Sequence, residues 1–187
     1  MEKKEFDNFI KEVPDNVLVL IDETYIEFAK EDKAIDINNY KDKNLVVLRT
    51  FNNFYGYENL ELSYAFGPAD LISLISNSYV LETPINRFSE SLAIECLNDT
   101  VHNKKIVKRI ENDKIKLYKK LNENNISFFP SDCNFVLIKT FKSKKTIVKE
   151  LEASNIILEN DTLFYNSYWP LPISDSKTNE IIWETLI

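Results

Sequence analysis

Glycine is nearly missing from this 187-residue chain: Gly56 and Gly67 are the only two. Average usage of about 7% predicts roughly a dozen. Phosphate-cradling loops need glycine where the backbone approaches its ligand closely. A Walker A loop or a GxGxxG turn is therefore excluded. His102 is the only histidine, so a metal site has little support, and a Ser-His-Asp hydrolase would have to use that one residue. No serine is flanked by the glycines of a nucleophile elbow. The two cysteines, Cys96 and Cys133, form no CxxC pair, which suggests neither zinc nor a redox motif. Both are expected to be reduced in a cytosolic protein.

Basic charge is also short. The chain carries 23 basic against 30 acidic side chains, a net charge of −7. A nucleic-acid-binding surface needs a basic stripe, so no nucleic-acid partner is expected. The basic run Lys104 to Arg109 is broken by Ile106 and Val107, and reads as the solvated face of a helix. No stretch approaches about 18 apolar residues, so no membrane span is expected. The charged start Glu2-Lys3-Lys4-Glu5 has no apolar region after it and does not read as a signal peptide. The chain is expected in the cytoplasm.

What is present is a packed-core composition, 44% hydrophobic. Phe6 and Ile10 give Lys4 to Lys11 a helical spacing, ended by Pro14-Asp15-Asn16. Val17 to Ile21, Leu45 to Leu48 and Leu62 to Phe66 are short apolar runs. The first two read as parallel strands buried on both faces. Helices are predicted over 68–77, 89–97, 101–124, 144–153 and 176–186. The long one carries an apolar stripe of Ile106, Ile110, Leu117 and Leu121. Strands are predicted over 127–129, 134–138, 156–158 and 163–168. The expected architecture is α/β, with a partial, mostly parallel sheet in residues 1–85. An α+β domain is expected over 86–187, including the long linking helix.

Five segments then fall in order. Residues Phe6 to Asp15 form a leading helix, and Asp22-Glu23-Thr24-Tyr25-Ile26-Glu27-Phe28 is close to DEAYxEF. Asn44 to Phe51 is close to NLVVLRTF. Tyr64-Ala65-Phe66-Gly67 follows, and Ser131-Asp132-Cys133-Asn134-Phe135-Val136-Leu137 fits SxxNFVL. Together they resemble the fold-type-I aminotransferases dependent on pyridoxal phosphate (PLP), class I and II, of the histidinol-phosphate type. The resemblance covers the second half of that fold. The family's first half, with its glycine-containing phosphate loop and the aromatic that stacks on the cofactor, is expected to be absent.

The resemblance implies site residues one by one. Asp22 matches the carboxylate that pairs with the cofactor's pyridinium nitrogen, and Tyr25 the phenol that bonds the ring oxygen. Read without the resemblance, Asp22 caps a turn and Tyr25 is packed. Thr50 is retained beside the phosphate, and Asn52 replaces a phosphate-binding serine. Asn53 falls where the family has its Schiff-base lysine, and an amide is neither basic nor nucleophilic. Glu61 falls at a phosphate-binding arginine, where a carboxylate repels the dianion. Among the substrate residues Asn134 keeps its family identity. Pro170 replaces a substrate-gripping arginine, and Glu159 falls near a second.

The resemblance thus implies a degenerate aminotransferase-like protein with no catalytic residue of its own, acting as a binding or regulatory partner. Cofactor binding by Asp22, Tyr25, Thr50 and Asn52 stands against these losses. The alternative is one chain of a split PLP-dependent aminotransferase, moving an amino group between an amino acid or amino phosphate and a 2-oxo acid. A homo- or hetero-oligomer is expected, with a second chain supplying the first half. The run Val17 to Glu23 also resembles a Walker B strand, but its partner motif is missing.

Overall fold

The computed structural model describes residues 2–30, 33–55, 62–78, 85–140, 142–157 and 168–187. The chain divides into two compact units, residues 1–103 and 104–187.

The first unit opens with α1 (Lys3–Glu12), capped by a reciprocal Glu2–Glu5 box. Phe6 and Ile10 are its buried residues. They meet Tyr40 and Leu45 in a core against which Val19 and Ile21 also pack. The sheet has the order β1 (Val19–Asp22), β2 (Leu45–Thr50), β3 (Ser63–Phe66). β1 and β2 are parallel, whereas β3 returns antiparallel to β2. The sheet is therefore mixed, not mostly parallel.

β1 corrects a second expectation. Leu45, Val46 and Val47 of β2 are fully buried, but Leu18 and Leu20 are 53% and 57% exposed. β1 has an edge position and one covered face, so its apolar run is buried on one side only. Helices α2 (Ala69–Ser78) and α3 (Arg87–Asn98) complete the unit with the start of α4 (Thr100–Glu123). Asn86 caps α3 by accepting from the Phe88 N–H. The close packing of Gly67 is steric: a Cβ there would sit 2.9 Å from the Leu45 carbonyl oxygen.

The second unit has a wholly antiparallel sheet, β4 (Phe128–Phe129), β5 (Phe135–Lys139) and β6 (Tyr168–Pro172). Helices α5 (Lys144–Ala153) and α6 (Ser176–Leu186) accompany it. Its buried side chains include Leu117, Leu121, Val136, Ile138, Ile147, Leu151, Trp169, Leu171, Ile182 and Trp183. β6 contains Pro170 and Pro172, and the sheet tolerates both because β6 lies at its edge. Of the expected strand over 163–168, only Tyr168 lies within the described residues, where it begins β6. Ile156 and Ile157 follow a turn at Asn155, which has a φ of 59°, and form no strand. Leu158 and Glu159 lie outside the described residues. Among the described residues no helix is long and apolar enough to cross a membrane.

Candidate functional site

The C-terminal ends of parallel strands are where open α/β sheets bind ligands. β1 and β2 end at Asp22 and Thr50, and most of the residues singled out in the sequence gather there.

Asp22 is exposed. Its Oδ1 accepts from the Thr24 N–H at 2.9 Å and from the Thr24 hydroxyl at 2.6 Å. Those two bonds hold its carboxyl below the ordinary carboxylate range. Asp22 is thus a turn-capping anion. The Thr24 carbonyl continues the connection, because it accepts from the Asn53 side-chain amide at 2.9 Å. Asp22, Thr24 and Asn53 are in this way tied into one hydrogen-bonded run.

Thr50 is buried and saturated. Its hydroxyl donates to the Leu62 carbonyl at 3.2 Å and accepts from the Asn52 N–H at 3.2 Å and the Ser63 hydroxyl at 3.0 Å. A hydroxyl has one proton and two lone pairs, so nothing remains for a phosphate. The Asn52 side-chain oxygen is buried without a hydrogen-bond partner. The donor end of that amide is its Nδ2.

Behind these residues stands an ion pair the sequence reading passed over. Glu23 accepts from Arg49 Nε at 3.0 Å and Nη2 at 2.8 Å, while its other oxygen takes the Ile35 N–H at 2.7 Å. The Glu23 side chain is only 4% exposed. The signal was available: a charge within a buried strand needs a partner, and Glu23 directly follows the neighbouring strand. Arg49 also lies over the Phe66 ring, 5.1 Å from its centre.

Aromatic rings cluster at the start of the loop after β2. Tyr25 lies 6.4 Å from Phe28, which meets Phe54 edge-on at 5.1 Å. Phe54 meets Tyr55 edge-on at 4.9 Å, and Tyr55 meets Phe51 at 5.5 Å. Phe51 and Tyr64 also line an open groove of about 450 Å³ with Leu62, Ile94 and Leu97. Among the described residues Glu90 is the charged group on that groove's lining, and a carboxylate is no counter-charge for a phosphate.

In the second unit, Lys114 on α4 is buried and donates to the Ser131 and Cys133 carbonyls, each at 3.0 Å. Burial pushes its ammonium pKa down. The Ser131 N–H reaches the Tyr118 hydroxyl at 3.0 Å. This clamp holds the segment that leads into Asn134, whose carbonyl accepts from the Ile173 N–H at 2.7 Å. Pro170 pairs with Leu137 within the sheet and has no donor to offer a substrate. Glu61 and Gly56 lie outside the described residues. His102 is exposed, and Cys96 and Cys133 are not in a disulfide.

Comparison with known proteins follows from this layout. The family model described as "Aminotransferase class I and II" matches residues 2–165. This chain belongs to the class I and II aminotransferase family. Within that family it is histidinol-phosphate aminotransferase-like. It is 33% identical over 170 residues to histidinol-phosphate aminotransferase 2 of Carboxydothermus hydrogenoformans, a match covering 89% of this chain and 47% of that protein. The structure of the histidinol-phosphate aminotransferase from Clostridium acetobutylicum superposes with a TM-score of 0.84 at 23% identity, covering 100% of this chain and 58% of that one. The Sinorhizobium meliloti enzyme, solved in complex with pyridoxal 5′-phosphate, gives 0.83 at 20% identity, covering 98% and 52%. The chain therefore spans about half the length of the relatives it matches.

The family is PLP-dependent, and the residues here can be weighed against that cofactor. Asp22, its carboxyl held below the ordinary range by Thr24, has the charge a pyridinium partner needs. Two other contacts do not fit. Asn53 supplies no amine and is turned to Thr24, and the Thr50 hydroxyl is spent on its own neighbours. The aminotransferase frame is present; of the described residues weighed here Asp22 fits the cofactor, and Asn53 and the Thr50 hydroxyl do not.

Proposed function

We propose that this chain is a non-catalytic aminotransferase-family protein that acts by association, as a binding or regulatory partner. The observation that carries this reading is the Asn53 amide, bonded to the Thr24 carbonyl at the position the family gives to its lysine. A primary amine there would be the nucleophile and the proton carrier, and an amide performs neither task. The saturated Thr50 hydroxyl supports the same reading from the phosphate side.

A second reading is a split aminotransferase, in which another chain supplies the missing half. Its support is the ionised Asp22 and the half-length match. It requires the second chain to bring a lysine to a position that Asn53 already occupies.

Equilibrium dialysis against pyridoxal phosphate tests the proposal. The expected result is no saturable site at micromolar cofactor, in wild type and in Asn53→Lys alike. One saturable site per wild-type chain would overturn it.

A further inference from the structure

Glu90, Ala93, Ile94 and Leu97 recur along α3 at the spacing that puts side chains on one helix face. That face lines the open groove of about 450 Å³ described above. The facing wall comes from the return of β2 into β3. Phe51 directly follows β2, and its N–H is held by the Leu62 carbonyl at 2.9 Å. Its ring lies 5.6 Å from that of Tyr64 on β3. Phe51 and Ala93 are buried, whereas Ile85, Ile94 and Leu97 are 54%, 53% and 49% exposed. The groove thus has a closed apolar floor and an apolar rim left open to water.

Its polar groups are few. The Ser63 hydroxyl is bonded to Thr50 at 3.0 Å. The guanidinium that bonds the Tyr64 phenol is Arg49, and two of its nitrogens go to Glu23. Glu90 is exposed, and among the described residues no ion pair includes it. The described lining contains no cation.

We infer that this groove binds an amphipathic organic amine, its apolar body between α3 and β3 and its ammonium on the Glu90 carboxylate. Size and charge select that occupant. The volume falls within the range of about 300–1,000 Å³ typical of small-molecule sites, where apolar walls hold the body and a few polar groups fix orientation. The charge on the described lining is negative, so a single positive end is its complement. None of Asp22, Tyr25, Thr50, Asn52 and Asn53 lines the groove. The inference therefore goes beyond the non-catalytic reading and does not rest on it.

The test titrates the full chain with octylamine, octanol and octanoate, which share a body and differ in the end group. Octylamine is expected to fill one site per chain and to shift the methyl resonances of Ile94 and Leu97. Octanol should bind about fivefold more weakly, the upper worth of an exposed ion pair, and octanoate more weakly still. Glu90 also lies in the first turn of α3, where a carboxylate stabilises the helix itself. The readout that a merely structural Glu90 would not move is the ratio of the two ligands. Glu90→Gln should bring octylamine to the level of octanol and leave octanol unchanged. Ile94→Lys sets an ammonium one turn after Glu90 and should abolish octylamine binding, while its exposed position keeps the wild-type unfolding midpoint. Equal binding of octylamine and octanol by the wild type, a preference for octanoate, or no saturable binding overturns the inference. So does an octylamine preference that survives Glu90→Gln. A wild-type chain that sediments as a dimer and becomes a monomer on Ile94→Lys overturns it too, because the occupant is then a second copy.

Discussion

Asn53 and Thr24 are joined by a 2.9 Å hydrogen bond from the side-chain amide to the main-chain carbonyl. The bond closes the loop after β2 onto the turn after β1, where Asp22 is itself tied to Thr24. The side chain at position 53 is thereby part of the local structure. Asn53→Ala is expected to destabilise the chain by about 1 kcal/mol, the usual net worth of such a bond. Asn53→Lys should lose the same bond and gain no aminotransferase activity. Urea unfolding and an amino-transfer assay check the two halves of this prediction.

The Glu23–Arg49 pair should matter more. Arg49→Met leaves the Glu23 carboxylate, with its side chain 4% exposed, facing a lost partner. Breaking a buried pair from one side costs about 3 kcal/mol. Replacing both, as Glu23→Leu with Arg49→Met, should cost less than the sum of the single changes. A double-mutant cycle in urea reads the difference.

Glu27 gives the first unit a pH dependence. Burial pushes its carboxyl up from 4.5, against its own backbone N–H and Arg49, which pull it down. One of its oxygens is buried without a hydrogen-bond partner. A raised carboxyl binds more protons folded than unfolded, so its contribution is complete below pH 4.5 and is lost as pH rises through the folded value. Glu27→Gln should flatten that decline and raise the urea midpoint at neutral pH. Below pH 4.5 the variant and wild type should coincide at this site.

Lys114 clamps the segment before β5 through two carbonyls. Lys114→Met keeps most of the apolar stem and removes both bonds, leaving the two carbonyls to find water. The expected cost is about 2 kcal/mol. Hydrogen exchange should quicken at Cys133, whose N–H bonds the Ser131 hydroxyl at 3.0 Å, and remain slow at Ile147.

Much of this fold was legible in the sequence, because periodicity and breakers sufficed for its helices. Asp175 caps α6 at the start the pattern implies, and Asn86 starts α3 two residues before the expected 89. The burial of β1 was not legible. An apolar run of five looks the same whether one face or two are covered, and only neighbouring elements decide. β6 was missed because Pro170 and Pro172 argue against a strand, and an edge position removes that objection. At the site, Asn53 was readable as a lost amine, but its bond to Thr24 was not. Nothing in the sequence says which carbonyl an amide will meet across 29 residues. The commitment of Thr50 to Leu62, Asn52 and Ser63 was hidden for the same reason: its partners are set by the β2–β3 register.

The central claim is that this aminotransferase-family chain forms no covalent link to pyridoxal phosphate. The direct measurement is borohydride reduction of the purified chain with one equivalent of cofactor, followed by peptide mass analysis. The account predicts only scattered, substoichiometric pyridoxyl adducts on exposed lysines. A single lysine carrying close to one adduct per chain, displaced by an amino acid substrate before reduction, would contradict it.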